Sequence, residues 1–163
     1  MRNVHSRLLN HPIEEVRPWI ERAWSGTDED VFPRDYIRSW RKNPEGTPAS
    51  ALVEGVTKLG HGPFRFRLTQ WDGNSWRVEL ADGSGWHGFR LESEGQKTRI
   101  THELEVHRKP LFRFFILPIH DWAVESIFDR LEAALATGKV PARTTRPMSS
   151  VTRALYQSAR VFV

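Results

Sequence analysis

The chain has no cysteine, which excludes disulfide scaffolds, thiolate metal sites and cysteine nucleophiles. Nor does it hold an apolar run near the roughly 20 residues that cross a bilayer, and its first residues, MRNVHSRLL, lack the apolar core of a secretory signal. A cytoplasmic protein without an integral membrane segment is therefore expected. Acidic residues are missing from Lys139 onward, where five basic ones (Lys139, Arg143, Arg146, Arg153, Arg160) stand alone. The net charge of +4 thus belongs to the tail, and the first 138 residues carry 19 basic against 20 acidic side chains. No nucleic-acid partner is expected from a body so nearly neutral.

What the sequence does have is a long amphipathic segment near its end. Across Pro110 to Gly138, His120, Val124, Ile127, Phe128, Leu131 and Leu135 recur at three- and four-residue intervals, with Glu125, Asp129, Arg130 and Glu132 on the other side. Pro118 interrupts the first third and Gly138 suits a left-handed cap, so the spacing predicts a helix from about Pro118 to Ala136. It needs a partner surface.

Earlier in the chain, Val4, Ser6 and Leu8 alternate against His5 and Arg7, which predicts a strand over Asn3 to Leu9 with the first set on its apolar face. Pro12 then opens a short helix whose stripe is Ile13, Val16, Ile20 and Ala23. Ser25 to Pro48 is irregular, with a short strand expected near Tyr36 to Arg41 and another near Ala51 to Leu59. From Phe64 the alternation is clear. Phe64, Phe66 and Leu68, then Trp76, Val78 and Leu80, then His87, Phe89 and Leu91, and last Ile100, His102, Leu104 and Val106 each share one face. Four strands joined by short turns make an antiparallel meander with one apolar side. The arginines and glutamates opposite, such as Arg77, Glu79, Arg90 and Glu92, read as a solvated surface with cross-strand charge pairs.

A strand, a helix, an antiparallel run and a long C-terminal helix give an α+β order in which the helix covers the apolar face of the sheet. At this point the chain resembles the SRPBCC or START-like superfamily, whose helix-grip fold is shared with the birch-pollen allergen type of protein and with polyketide cyclases. The resemblance spans about Arg2 to Gly138. FPRDYIRSW at Phe32 to Trp40, GHGPFRF at Gly60 to Phe66, GWHGFRL at Gly85 to Leu91 and PIHDWAVESIFDRLEAAL at Pro118 to Leu135 look like motifs of a bacterial subgroup. The resemblance implies a curved sheet of about seven strands wrapped around the C-terminal helix, with a hydrophobic ligand cavity between them. It implies no particular reaction, since the family includes carriers, receptors, cyclases, dehydratases and chaperone cofactors. On this reading residues 1–138 form the ligand-binding domain, and residues 139–163 form a basic tail that is either mobile or a short docked helix.

The polar residues on inward parities are mainly histidines: His87 and His102 on strands, and His120 on the apolar stripe of the helix. In an apolar setting an imidazole keeps one nitrogen free to accept a proton, so the three are candidate catalytic or ligand-orienting groups. The alternative for each is a core histidine bonded to backbone, tyrosine or threonine. Three histidines also suit zinc, but no compact spacing such as HxxxH occurs, so no metal and no cofactor is expected. Asp121 beside His120 makes no dyad, because neighbours on a helix point about 100° apart.

The expected ligand wall comprises Phe66, Leu68, Trp76, Val78, Phe89 and Leu91 from the sheet. Leu104, Val124, Ile127 and Phe128 complete it, while His61, Tyr36 and Trp40 sit near the mouth. Trp122, on the polar side of the helix, is expected against the Ser25 to Pro48 segment or at a subunit interface. The function that follows is binding of a small hydrophobic or aromatic molecule, as carrier or sensor, by a monomer or a homodimer. A cyclase- or dehydratase-type enzyme using a cavity histidine is the second reading, and a protein-interaction module with a filled cavity is the third.

Overall fold

The inward and outward parities of the strands decide which side chains meet the long helix, and they differ from expectation in the very first strand. The structure, a computed structural model, describes residues 1–22, 31, 37–42, 52–57, 64–80, 83–107, 114 and 117–158; for 37–42, 52–57, 64–68, 71, 80 and 156 it describes the backbone alone. Strand β1 (Arg2–Leu9) leads into helix α1 (Ile13–Arg22), followed by β2 (Ile37–Lys42), β3 (Leu52–Thr57), β4 (Phe64–Trp71), β5 (Ser75–Leu80), β6 (Gly85–Glu94) and β7 (Lys97–Val106). Helix α2 (Leu117–Thr137) and helix α3 (Ser150–Ser158) complete the chain. Among the described residues the strands form one antiparallel sheet in the order β1-β7-β6-β5-β4-β3-β2. The first strand therefore closes the sheet edge beside the last.

Strict alternation builds the meander. Thr98, Ile100, His102, Leu104 and Val106 are buried on β7, and Trp76 and Val78 on β5, while the residues between them are partly exposed. Asp72 fixes the β4–β5 turn by accepting the backbone N–H groups of Asn74 and Ser75 at 3.0 and 2.7 Å. On β6, Gly88 is required by close approach, since a Cβ there would lie 2.2 Å from the Trp76 carbonyl oxygen. Among the described residues the outer charges pair both along a strand, Arg77 with Glu79 at 3.7 Å and Arg90 with Glu92 at 3.4 Å, and across strands, Arg99 with Glu94 at 2.5 Å. Across strands, Arg2 bonds Glu103 and the Arg77 guanidinium lies 4.0 Å from the Trp86 ring centre.

Strand β1 corrects the expected face. His5 and Arg7 turn toward α2, whereas Val4 and Leu8 are 50% and 38% exposed. The physical reason lies on the helix: Asp121, Glu125, Asp129 and Glu132 form one stripe at four- and three-residue steps, and that stripe faces β1. The side of α2 read as solvent-facing is thus an ionic seam.

Helix α2 starts and ends where its pattern places it, and Gly138, with φ of 72°, donates its N–H to the Ala134 carbonyl at 2.8 Å. Ile119, Val124, Ile127, Phe128 and Leu131 are buried, and so are Trp122, Ser126 and Arg130 from the supposed polar side. Arg130 donates Nε–H to the Val31 carbonyl at 3.2 Å. The apolar core joins Val124, Ile127, Phe128 and Leu131 to Leu9, Val16, Ile20, Trp76, Phe89 and Ile100. No helix among the described residues is long and apolar enough to cross a membrane.

The tail packs against α2. Trp122 donates Nε1–H to the Arg146 carbonyl at 3.2 Å, so the tail is one neighbour of the indole, while most of the Ser25 to Pro48 segment expected beside it lies outside the described residues. Arg146 grips Asp129 through two donors at 2.7 and 3.0 Å. Such a forked pair gives direction as well as attraction, though at this partial exposure it contributes only about 1 kcal/mol. We expect Arg146→Ala to leave the fold intact while trypsin cleavage in residues 139–153 speeds up several-fold. Unchanged cleavage would mean that Trp122 alone holds the tail.

Candidate functional site

Four imidazoles line up where β1, β7, β6 and α2 meet. His5 and His102 are paired across β1 and β7, and His102 is opposite Phe89 on β6. His87, two residues before Phe89, takes the diagonal place, with ring centres 5.7 Å from His102. His120, in the first turn of α2, closes over them at 5.0 Å from His102 and 6.4 Å from His5. Parity therefore brings together the three histidines expected, and the reversed face of β1 adds a fourth.

Their surroundings split the row into two chemistries. His102 is 2% exposed, touches Phe89 edge-on at 4.6 Å between centres, and leaves Nδ1 without a hydrogen bond. Burial pushes its pKa well below the ordinary value, helped by the neighbouring His120 and His87. His87 is pushed down to about 3, by burial first and by His120 second. Both are neutral at pH 7 on this account. His120 is also lowered by burial, although Asp121 opposes the shift, and its Nδ1 too is buried without a hydrogen bond. The distance from that nitrogen to Asp121 Oδ1 is 3.8 Å, beyond hydrogen-bond range.

His5 is the contrary case. Its Nε2 lies 3.0 Å from Asp121 Oδ1 and its Nδ1 2.8 Å from Glu125 Oε1, so the ring is held between two carboxylates. The hydrogen bond to Asp121 raises its pKa against the effect of burial, with Glu125 adding to the rise. Asp121 itself resists the upward pull of burial, because His120 and His5 hold it well below the usual carboxylate range. Glu125 is fixed in turn by Arg7 at 2.6 Å and lies 3.5 Å from Arg146.

One nitrogen each of His5 and His120 and one oxygen of Asp121 all lie within 4.8 Å of one another. Such a set can share a proton or hold a cation. Sequence reasoning missed His5 because it assigned Val4, Ser6 and Leu8 to the inner face. The signal was available, since buried Leu9 shares the parity of His5 and Arg7, and the helix offers a matching acidic stripe.

Of the expected wall, Trp76, Val78, Phe89, Leu91, Leu104, Val124, Ile127 and Phe128 are all buried. Several touch one another, with Trp76 and Phe89 rings 4.6 Å apart and Phe89 meeting Phe128 edge-on at 6.2 Å. Phe66, Leu68 and Trp40 stand on β4 and β2, whose backbone alone is described, and His61 and Tyr36 lie outside the described residues. A shallow depression between α1 and the β4–β5 turn reaches Trp76 and Phe89. Its volume of about 230 Å³ counts open solvent, so the depression encloses no room for a drug-sized ligand. Arg17 bonds Asn74 Oδ1 across that depression at 3.0 and 2.7 Å.

No family model matches the chain, and no curated protein is similar to it in sequence. Solved structures do match in shape. XoxI from Bacillus cereus aligns with a TM-score of 0.67 at 11% identity, over 83% of this chain and 96% of that one. An 18 kDa protein from Caulobacter crescentus gives 0.60 at 19% identity, over 83% and 95%. Norcoclaurine synthase from Thalictrum flavum, solved as a point mutant with a transition-state analogue, gives 0.60 at 9% identity, over 85% and 95%. At these identities the likeness is one of fold alone, and it is consistent with an SRPBCC-like α+β architecture of antiparallel sheet and long helix.

Proposed function

We propose that the chain binds a small hydrophobic or amphipathic molecule between the sheet and α2, as a carrier or sensor, with the histidine row meeting the ligand's polar atoms. In this reading the sheet curves around α2 in a helix grip and leaves a cavity between them. The observation that carries it is the buried Nδ1 of His102, which lacks a hydrogen bond and sits beside Phe89. An orphaned buried polar atom costs about 1–3 kcal/mol, and a ligand hydroxyl or carbonyl would recover that cost. The fold neighbour norcoclaurine synthase, with its bound transition-state analogue, lends support from fold alone.

Native mass spectrometry of the purified full chain tests this, with a second spectrum after denaturation and organic extraction. A retained small molecule that disappears on denaturation is the expected result. A clean apo mass, unshifted by fatty acids, sterols and aromatic polyketides, would overturn the carrier reading in favour of a filled core, for which the Trp76–Phe89–Phe128 contacts already speak. The native spectrum also reports whether the chain is a dimer, the state in which the fold neighbour Aha1 from Colwellia psychrerythraea was solved.

A second reading, cyclase- or dehydratase-type catalysis, rests on His120, whose downward shift Asp121 opposes, whereas burial makes His87 and His102 weak bases. A neutral imidazole that keeps its basicity can take a proton from a bound substrate. Its mark would be His120→Gln losing turnover while keeping ligand binding.

A further inference from the structure

We propose that His5, His120 and Asp121 form a divalent metal site of the zinc type at the seam between β1 and α2. The inference claims His120 Nδ1 and leaves His102 Nδ1 to any ligand between sheet and helix, so either reading can fail without the other.

Two donors each about 2.0–2.1 Å from a tetrahedral zinc ion lie about 3.3 Å apart. His5 Nε2 and Asp121 Oδ1 are 3.0 Å apart, His120 Nδ1 and Asp121 Oδ1 are 3.8 Å apart, and one donor atom from each of the three residues falls within 4.8 Å of the others. Closing the His120–Asp121 pair by about half an ångström, with a turn of the His120 side chain toward His5, would bring the donors around an ion. Two imidazoles and one carboxylate suit zinc, or cobalt as its substitute, better than the all-oxygen sites of magnesium and calcium.

The surroundings supply what metal-binding histidines usually have. The remaining nitrogen of His5, Nδ1, lies 2.8 Å from Glu125 Oε1, so that carboxylate can hold the ring with Nε2 directed at Asp121. Arg7 then holds Glu125 from behind at 2.6 Å. The Asp121 side chain is 38% exposed, against 14% for His5 and 17% for His120, which leaves an entry path from solvent and a fourth position for water or a ligand atom.

A protonated His5 bridging Asp121 and Glu125 explains those two carboxylates without any metal. It does not use His120 Nδ1, which is buried, lacks a hydrogen bond and faces the same Asp121 oxygen. That nitrogen is what the ion would add. The spacing of the sequence hides the set, because the donors come from a strand and a helix separated by more than a hundred residues.

The test is titration of the tag-free, chelator-treated full chain with zinc chloride at pH 7.5, followed by calorimetry. One ion per chain is expected, with affinity falling at least tenfold in Asp121→Asn and His5→Gln, and some tenfold or more in Glu125→Gln. His11→Gln and His107→Gln, away from the seam, should leave it unchanged. Circular dichroism checks that each variant folds, and cobalt chloride gives a readout on the native chain should one fail. Visible absorption well above that of aqueous cobalt is expected. The aqueous spectrum, no stoichiometric zinc binding, or affinity indifferent to both Asp121→Asn and His5→Gln would overturn the site.

Discussion

Arg7→Met is expected to destabilise the fold by about 2–3 kcal/mol, which for a chain of this size lowers Tm by roughly 5–10 °C. Arg7 reaches three carboxylates of α2, Glu125 at 2.6 Å, Asp129 at 2.7 Å and Glu132 at 2.8 Å. Its side chain is 18% exposed, and the guanidinium carbon also lies 5.2 Å from the centre of the Phe128 ring. A surface pair of this kind contributes at most about 1 kcal/mol. Removing a half-buried cation is different, because it leaves Glu125 and Asp129 facing an apolar stem and takes one counter-charge from each. Arg146 still reaches Asp129 at 2.7 Å, which is why the loss should fall short of a fully buried pair. Urea denaturation at low and at 0.5 M salt checks this. A loss under about 0.5 kcal/mol would show the seam to be no more than solvated surface charge. A double-mutant cycle with Asp129→Asn then apportions the coupling.

The same seam shows where the sequence was legible and where it was not. The meander over β5 to β7 follows from local periodicity, because one face is dry and the other wet, and the extent of α2 follows from its apolar spacing and the cap at Gly138. That logic fails where an element is enclosed on several sides. The sheet covers one side of α2, β1 meets its acidic stripe and the tail lies over Trp122, so charge on α2 marks pairing instead of exposure. The apolar Val4 and Leu8 outbid His5 and Arg7 in an alternation count, although only the latter match Glu125 and Asp129. His87, His102 and His120 were legible as a group, since each sits on a parity fixed by apolar neighbours. His5 and the role of Asp121 needed partners more than a hundred residues away. No periodicity carries that information.

Stability is expected to fall by roughly 3–4 kcal/mol between pH 7 and pH 5, a large share of what a domain this size has. The cause is His87 and His102, both held neutral by burial, the first with its pKa pushed down to about 3 and the second well below the ordinary value. In the unfolded chain each titrates near 6.5. Below that pH the unfolded state binds more protons than the folded one, so each histidine costs up to about 1.4 kcal/mol per pH unit. His120 adds in the same direction, less strongly because Asp121 opposes its shift. His5 acts with the opposite sign: its raised pKa contributes stability that is complete below about pH 6.5 and lost as pH rises through the folded value. It therefore cannot restore the loss between pH 6 and 5. Asp121, Glu125 and Asp129, all lowered, contribute stability that is present above the ordinary carboxylate range and lost only as pH falls below it. The pH 6 to 5 window thus isolates the histidines. Urea midpoints at pH 7, 6 and 5 should decline steadily, and His87→Phe should remove about half of the slope. Equal midpoints at pH 7 and 5 would mean that the histidines already meet solvent or a bound partner that lets them charge.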